Sequence, residues 1–217
     1  MDKIIGSFVE ELKKRPDVIG IILFGSWARG NNRPDSDIDL MVITIEEFRR
    51  TVEYKDNRAF EITYTTEKSA MDYWESHKND CAGLWEVAKI LYDKDGTIKK
   101  LEEFAQGIIK KGKNPLDEIK IGHLKFDAKD SLEAVKALAK TEPVLANFLL
   151  TNKIFWLTEL FFDIRQLWVP APKQRFDKIK EIDKEFFDLL TQFYQDGIAL
   201  TEKIKIAEKT IPIVFKS

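Results

Sequence analysis

Two aspartates one residue apart, Asp37 and Asp39, have the clearest capacity for chemistry in this sequence. If Ser36–Ile43 is a strand, both side chains leave the same face, about 7 Å apart at the backbone. Carboxylates so placed repel each other, and no obvious salt-bridge partner flanks either one. Divalent cations would remove the repulsion. Mg2+ (or Mn2+) takes hard oxygen ligands and keeps positions open for water and phosphate oxygens, and two such ions about 4 Å apart can clamp an attacking and a leaving oxygen. Upstream, Gly25-Ser26 follows an uncharged run. A glycine turn exposes backbone N–H groups and leaves room for an anion beside Ser26. A short helix opening at Trp27 would add positive charge at the same point. Arg29 either reaches a phosphate there or pairs with Asp35. Glu61, on the polar face of a later alternating segment, can supply a third carboxylate if that segment pairs beside the aspartate strand. Taken singly, a Gly-Ser turn is a common loop and an aspartate pair is a solvated loop feature; their order and spacing carry the joint reading.

Particular elements must position these groups. Ile4, Ile5, Phe8, Val9 and Leu12 fall at helical spacing before Arg15-Pro16, an amphipathic helix closed by proline. Val18–Phe24 is uncharged and rich in β-branched residues, too short for a typical helix, and reads as a buried strand. The aspartate strand comes next. Ala59–Thr65 alternates, with Phe60, Ile62 and Tyr64 on one face and Glu61, Thr63 and Thr65 on the other. A fourth strand is expected over Trp85–Tyr92, running into the turn signal Asp93-Lys94-Asp95-Gly96. Beyond Thr97 the pattern is helical, interrupted at Gly107, Gly112 and Asn114-Pro115. Helices are expected over Leu116–Lys140, Val144–Leu167, Lys178–Gln195 and Ile198–Lys209. The second is apolar nearly all round and should be the central helix of a bundle; its Lys153, Glu159, Asp163 and Arg165 argue against a membrane span.

Together these elements predict an α/β domain over 1–114, with a mixed sheet of four or five strands, and an all-helical bundle over 115–217, the site lying in the cleft between them. Composition narrows the partners. With 44% hydrophobic and 33% charged residues the chain is neither disordered nor a membrane bundle. Thirty-five basic against 37 acidic residues, a net charge of −2, give no basic excess in either half, so a nucleic-acid partner is not expected. The single cysteine, Cys81, excludes an intramolecular disulfide and a thiolate metal cage. The opening residues lack the apolar run of a signal peptide, and the expected compartment is the cytoplasm. His77 and His123 are assigned no role. Phe155, Trp156, Phe161 and Phe162 fit a helix core, and Lys173 fits solvent.

Gly25-Ser26, Gly30 and Ser36-Asp37-Ile38-Asp39-Leu40 closely resemble the signature of the DNA polymerase β-like nucleotidyltransferase superfamily: a hydrophobic residue, Gly-Ser and a glycine four residues beyond the serine, then a strand carrying DxD. The string GSWARGNNRPDSDIDL is similar to its small bacterial and archaeal branch. The motif match covers about Val18–Val42. More loosely, Asn152 and the stretch Arg165–Lys173 resemble the C-terminal bundle of kanamycin-nucleotidyltransferase-like proteins. The resemblance implies transfer of a nucleoside monophosphate from a nucleoside triphosphate to an acceptor hydroxyl, with release of pyrophosphate. It implies that Asp37, Asp39 and Glu61 hold the metal and carry catalysis, and that Gly25, Ser26 and Arg29 bind the nucleotide. The rival expectation is an antitoxin-like regulatory protein of the same fold that binds or modifies a helical partner; a chain with its own bundle has less need of one. A homodimer is compatible with either.

Overall fold

The uncharged run Val18–Phe24 forms strand β1, and it lacks charge because both of its faces are covered: Val18, Ile21, Ile22 and Leu23 are all buried. The computed structural model describes residues 3–46 and 49–216. The helix before β1 is α1 (Lys3–Leu12), and a single turn, α2 (Gly25–Arg29), follows it. Next come β2 (Ile38–Thr44), β3 (Arg49–Lys55) and β4 (Arg58–Thr65), then α3 (Glu67–Ser76), α4 (Lys78–Trp85), β5 (Lys89–Asp93) and α5 (Thr97–Lys111). The sheet order is β3-β4-β2-β1-β5, with β2 and β4 parallel and the other neighbours antiparallel. This is the mixed sheet expected.

Alternation decides which face meets the core. Phe60, Ile62 and Tyr64 of β4 are buried with Ile38, Leu40 and Val42 of β2 against Ile5, Phe8 and Val9 of α1. The Phe8 and Phe60 rings stack at 4.2 Å. Each such side chain contributes about 1.5–3 kcal/mol by leaving water. On the other face α5 closes over β1 where Gly20 leaves room, since a Cβ there would stand 2.2 Å from Ile98 Cδ1.

Two expectations change here. The fourth strand read over Trp85–Tyr92 begins later: Cys81, Ala82 and Trp85 are the buried face of α4, and only Lys89–Asp93 is extended. The strand β3 has no counterpart in the sequence pattern. It is a half-exposed edge rich in charge, and Asp56-Asn57 joins it to β4, both residues at positive φ (49° and 61°), as a tight two-residue hairpin requires.

The chain divides into two compact units, Met1–Lys111 and Gly112–Ser217. The second is all helical: α6 (Glu118–Leu138), α7 (Pro143–Ile164), α8 (Pro172–Ile182), α9 (Lys184–Phe193) and α10 (Leu200–Val214). The segment read as one helix over Lys178–Gln195 is two, because Asp183 turns extended and its carboxylate accepts the Phe186 N–H at 2.9 Å, capping α9. α7 packs on α6 and α10 through Ala146, Leu150, Ile154, Leu157 and Phe161, the central role expected of it. Its first turns are less enclosed than the pattern suggests, with Val144 and Phe148 exposed. Phe161 and Phe162 are core, whereas Phe155 is partly exposed, beneath the Arg175 guanidinium at 4.7 Å. Arg165 joins two helix ends, donating to Phe161 O of α7 and to Val214 O and Ile213 O of α10 at 3.1–3.2 Å. Among the described residues, no helix is long and apolar enough to cross a membrane.

Candidate functional site

Gly25 follows β1 with φ +69°, and Gly30 closes the turn at φ +80°, where its N–H and that of Asn31 both donate to Ser26 O at 3.0 and 3.2 Å. Only glycine adopts such angles without strain. Gly25 has a second reason to be glycine. A Cβ there would lie 1.9 Å from Asp39 Oδ2 and 2.7 Å from its Cγ, so the missing side chain is the space the Asp39 carboxylate occupies. The five residues of α2 align few peptide dipoles, and the helix-terminal charge expected after Gly25 is correspondingly small. Ser26 is half-buried.

The loop from Asn31 to Ser36 is tied down before it delivers the aspartates. Trp27 Nε1–H donates to Ser36 O at 3.2 Å, the Arg33 N–H donates to Ser36 Oγ at 2.9 Å, and Arg58 donates to Pro34 O while its guanidinium lies over the Trp27 ring. Asp37 stands exposed immediately before β2, not within it, and Asp39 is half-buried inside the strand. Register sets the neighbours of Asp39: Phe24 across the antiparallel β1 and Glu61 across the parallel β4. Glu61 therefore leaves the same face as Asp39. Its strand is internal, between β3 and β2, not an edge.

The Glu61 carboxylate is nevertheless held on its other side. Arg50 of β3 forms an ion pair with Glu61 Oε1. Arg29 donates to Gly83 O of α4 at 3.4 Å, while Asp35 pairs with Arg33 at 3.6 Å. On α3, burial raises the Tyr73 phenol above its usual range, with Asp80 and Cys81 adding to the rise and the Arg50 charge opposing it. Sequence reasoning missed Trp27, Arg50 and Arg58 as parts of this arrangement. The Asp56-Asn57 turn was the signal that could have placed Arg50 on a strand beside Glu61.

Among the described residues no group of three or more His, Cys, Asp or Glu side chains is placed to hold a metal ion. The donor set itself suits Mg2+ or Mn2+, being all carboxylate oxygen. Gly25 keeps clear the space that the Asp39 carboxylate fills, and Glu61 is adjacent to Asp39 in register and engaged by Arg50.

The family model of the nucleotidyltransferase domain matches residues 5–132, more than half of the chain. No curated protein matches. Among solved structures, a nucleotidyltransferase-like protein from Exiguobacterium sibiricum 255-15 is similar in fold, with a TM-score of 0.53 and 12% identity over 98% of this chain and 73% of that one. A spectinomycin adenyltransferase, AAD(9) from Enterococcus faecialis, solved with ATP and spectinomycin, aligns at a TM-score of 0.37 and 14% identity over 97% of both chains, a likeness too slight to argue from.

Proposed function

The chain belongs to the nucleotidyltransferase domain family, and from that premise we propose that it moves a nucleoside monophosphate from a nucleoside triphosphate to a hydroxyl of a small molecule or protein, with Mg2+ (or Mn2+) bound and pyrophosphate released. The observation that carries this reading is the convergence on Asp39. The glycine turn lies against its carboxylate, Asp37 precedes it by two residues, and Glu61 is its register partner.

Gly25 and Ser26 receive the triphosphate, their turn after β1 offering backbone N–H groups to its oxygens. Arg29, at the end of the same turn, presents its guanidinium to the nucleotide. Asp37 and Asp39 hold the divalent cation, which when bound neutralises the triphosphate oxygens and the charge that develops on them. Glu61 takes the proton of the acceptor hydroxyl. The hydroxyl oxygen bonds to the α-phosphorus in line as the bond from that phosphorus to the bridging oxygen breaks, and the electron pair leaves on pyrophosphate.

The test is incubation of the purified chain with each labelled nucleoside triphosphate and Mg2+, against a panel of small hydroxyl compounds and against cell lysate. One triphosphate should transfer its label with an equal yield of pyrophosphate, and a chelator should stop both. A panel with no transfer, no pyrophosphate and no nucleotide binding would overturn the proposal.

A further inference from the structure

We propose that Arg50 is a positioning residue that latches Glu61 away from the aspartate pair and surrenders it when a divalent cation binds. The inference rests on the reading of Asp37 and Asp39 as the cation ligands and concerns a residue that reading leaves out. Parallel pairing of β2 with β4 sets Glu61 beside Asp39. A carboxylate so placed lies close to a second one, and like charges side by side cost free energy. Arg50 supplies the counter-ion from the opposite side. On β3 the register partner of Glu61 is Val52, so Arg50, two residues earlier, lies on the same face and diagonal to Glu61. Diagonal positions stand about 7–8 Å apart at the backbone, within reach of long side chains. The Arg50–Glu61 ion pair spans that diagonal.

The latch is weak by construction. β3 is an edge strand, and the Arg50 side chain is 73% exposed against 29% for Glu61. A pair as exposed as this shifts an equilibrium by about fivefold at most, which a divalent cation can overcome. Arg49, the neighbouring cation, cannot share the task. Alternation sends it to the opposite face, where its guanidinium lies 4.6 Å over the Tyr64 ring. The latch therefore keeps the three carboxylates from confronting one another in the absence of metal, and it costs the cation part of its affinity.

A double-mutant cycle tests this on the full chain without nucleotide, titrating Mn2+ by calorimetry into wild type, Arg50→Gln, Glu61→Gln and the double variant. Removing the latch frees Glu61 for the cation, so Arg50→Gln should bind Mn2+ about three- to fivefold more tightly than wild type. In the Glu61→Gln background the same substitution should change the affinity by less than about 1.5-fold. An equal gain in both backgrounds would make Arg50 a distant charge only and overturn the latch. No gain in either would do the same. A wild-type chain that binds no Mn2+ would overturn the aspartate site and the latch together, whereas the two preceding results leave the aspartate site standing. Circular dichroism of each variant separates these results from a failure to fold.

Discussion

Gly25→Ala isolates the contact on which the site reading turns. Alanine at φ +69° costs about 1–2 kcal/mol, the penalty of an L-residue in the left-handed region. The added Cβ would meet Asp39 Oδ2 at 1.9 Å, and driving that carboxylate from its rotamer adds about 0.5–1.5 kcal/mol. The total, about 1.5–3.5 kcal/mol, lowers the melting temperature of a unit this size by on the order of 10 °C. Gly30→Ala is the natural control, because Gly30 has φ +80° and a Cβ there would meet nothing within 4 Å, so the substitution carries the backbone strain alone. Asp39→Ala removes the two closest atoms and leaves its Cβ at 3.1 Å, so in that background the cost of Gly25→Ala should fall towards that of Gly30→Ala. Calorimetric unfolding of the four variants, with Mn2+ titration of each folded one, reads both consequences. Equal costs for the two glycines in the wild-type background, or Mn2+ affinity retained in Gly25→Ala, would refute the claim that this glycine makes room for the carboxylate.

Asp37→Asn and Asp39→Asn should each abolish divalent-dependent turnover with the fold intact, as monitored by pyrophosphate release and circular dichroism; near wild-type turnover in either removes that residue from the site. Ser26→Leu should block binding of a non-hydrolysable nucleoside triphosphate by filling the space beside the turn, and unchanged calorimetric affinity would exclude Ser26. Burial pushes the Cys81 thiol up to about 12, so below about pH 9 it should resist a thiol reagent in the folded chain and react fully once unfolded. Because the folded value exceeds the ordinary one of 9.0, the stability tied to this proton is complete below pH 9 and is lost as pH rises from there towards 12; Cys81→Ala should flatten that alkaline decline. Arg165→Met leaves the carbonyls at the ends of α7 and α10 without their charged donor and should cost about 2–3 kcal/mol in unfolding free energy.

Where a residue's own chemistry forces its environment, the sequence alone is enough. Seven uncharged residues in Val18–Phe24 could only be a covered strand. Alternation in Ala59–Thr65 already turns Phe60 and Ile62 inward and Glu61 outward. The order Gly25-Ser26, then Asp37 and Asp39, singles out the candidate site because close anion approach and paired hard ligands each demand particular residue types. Pairing between distant segments is different. β3 leaves no mark in the sequence because Val52 and Tyr54, the apolar residues of an otherwise polar strand, point to solvent, so no buried periodicity reveals it. One expected helix becomes α8 and α9 because Asp183 can cap as readily as it can continue, and the choice falls to packing, which buries Ile179 on one side and Phe186 on the other. That Glu61 lies beside Asp39, and that Arg50 is the cation that holds it, follows from the registers of β4 with β2 and with β3. Register is a property of two strands at once, and a one-residue slip would set a different residue of β4 beside Asp39 or a different residue of β3 diagonal to Glu61; only the folded sheet decides it.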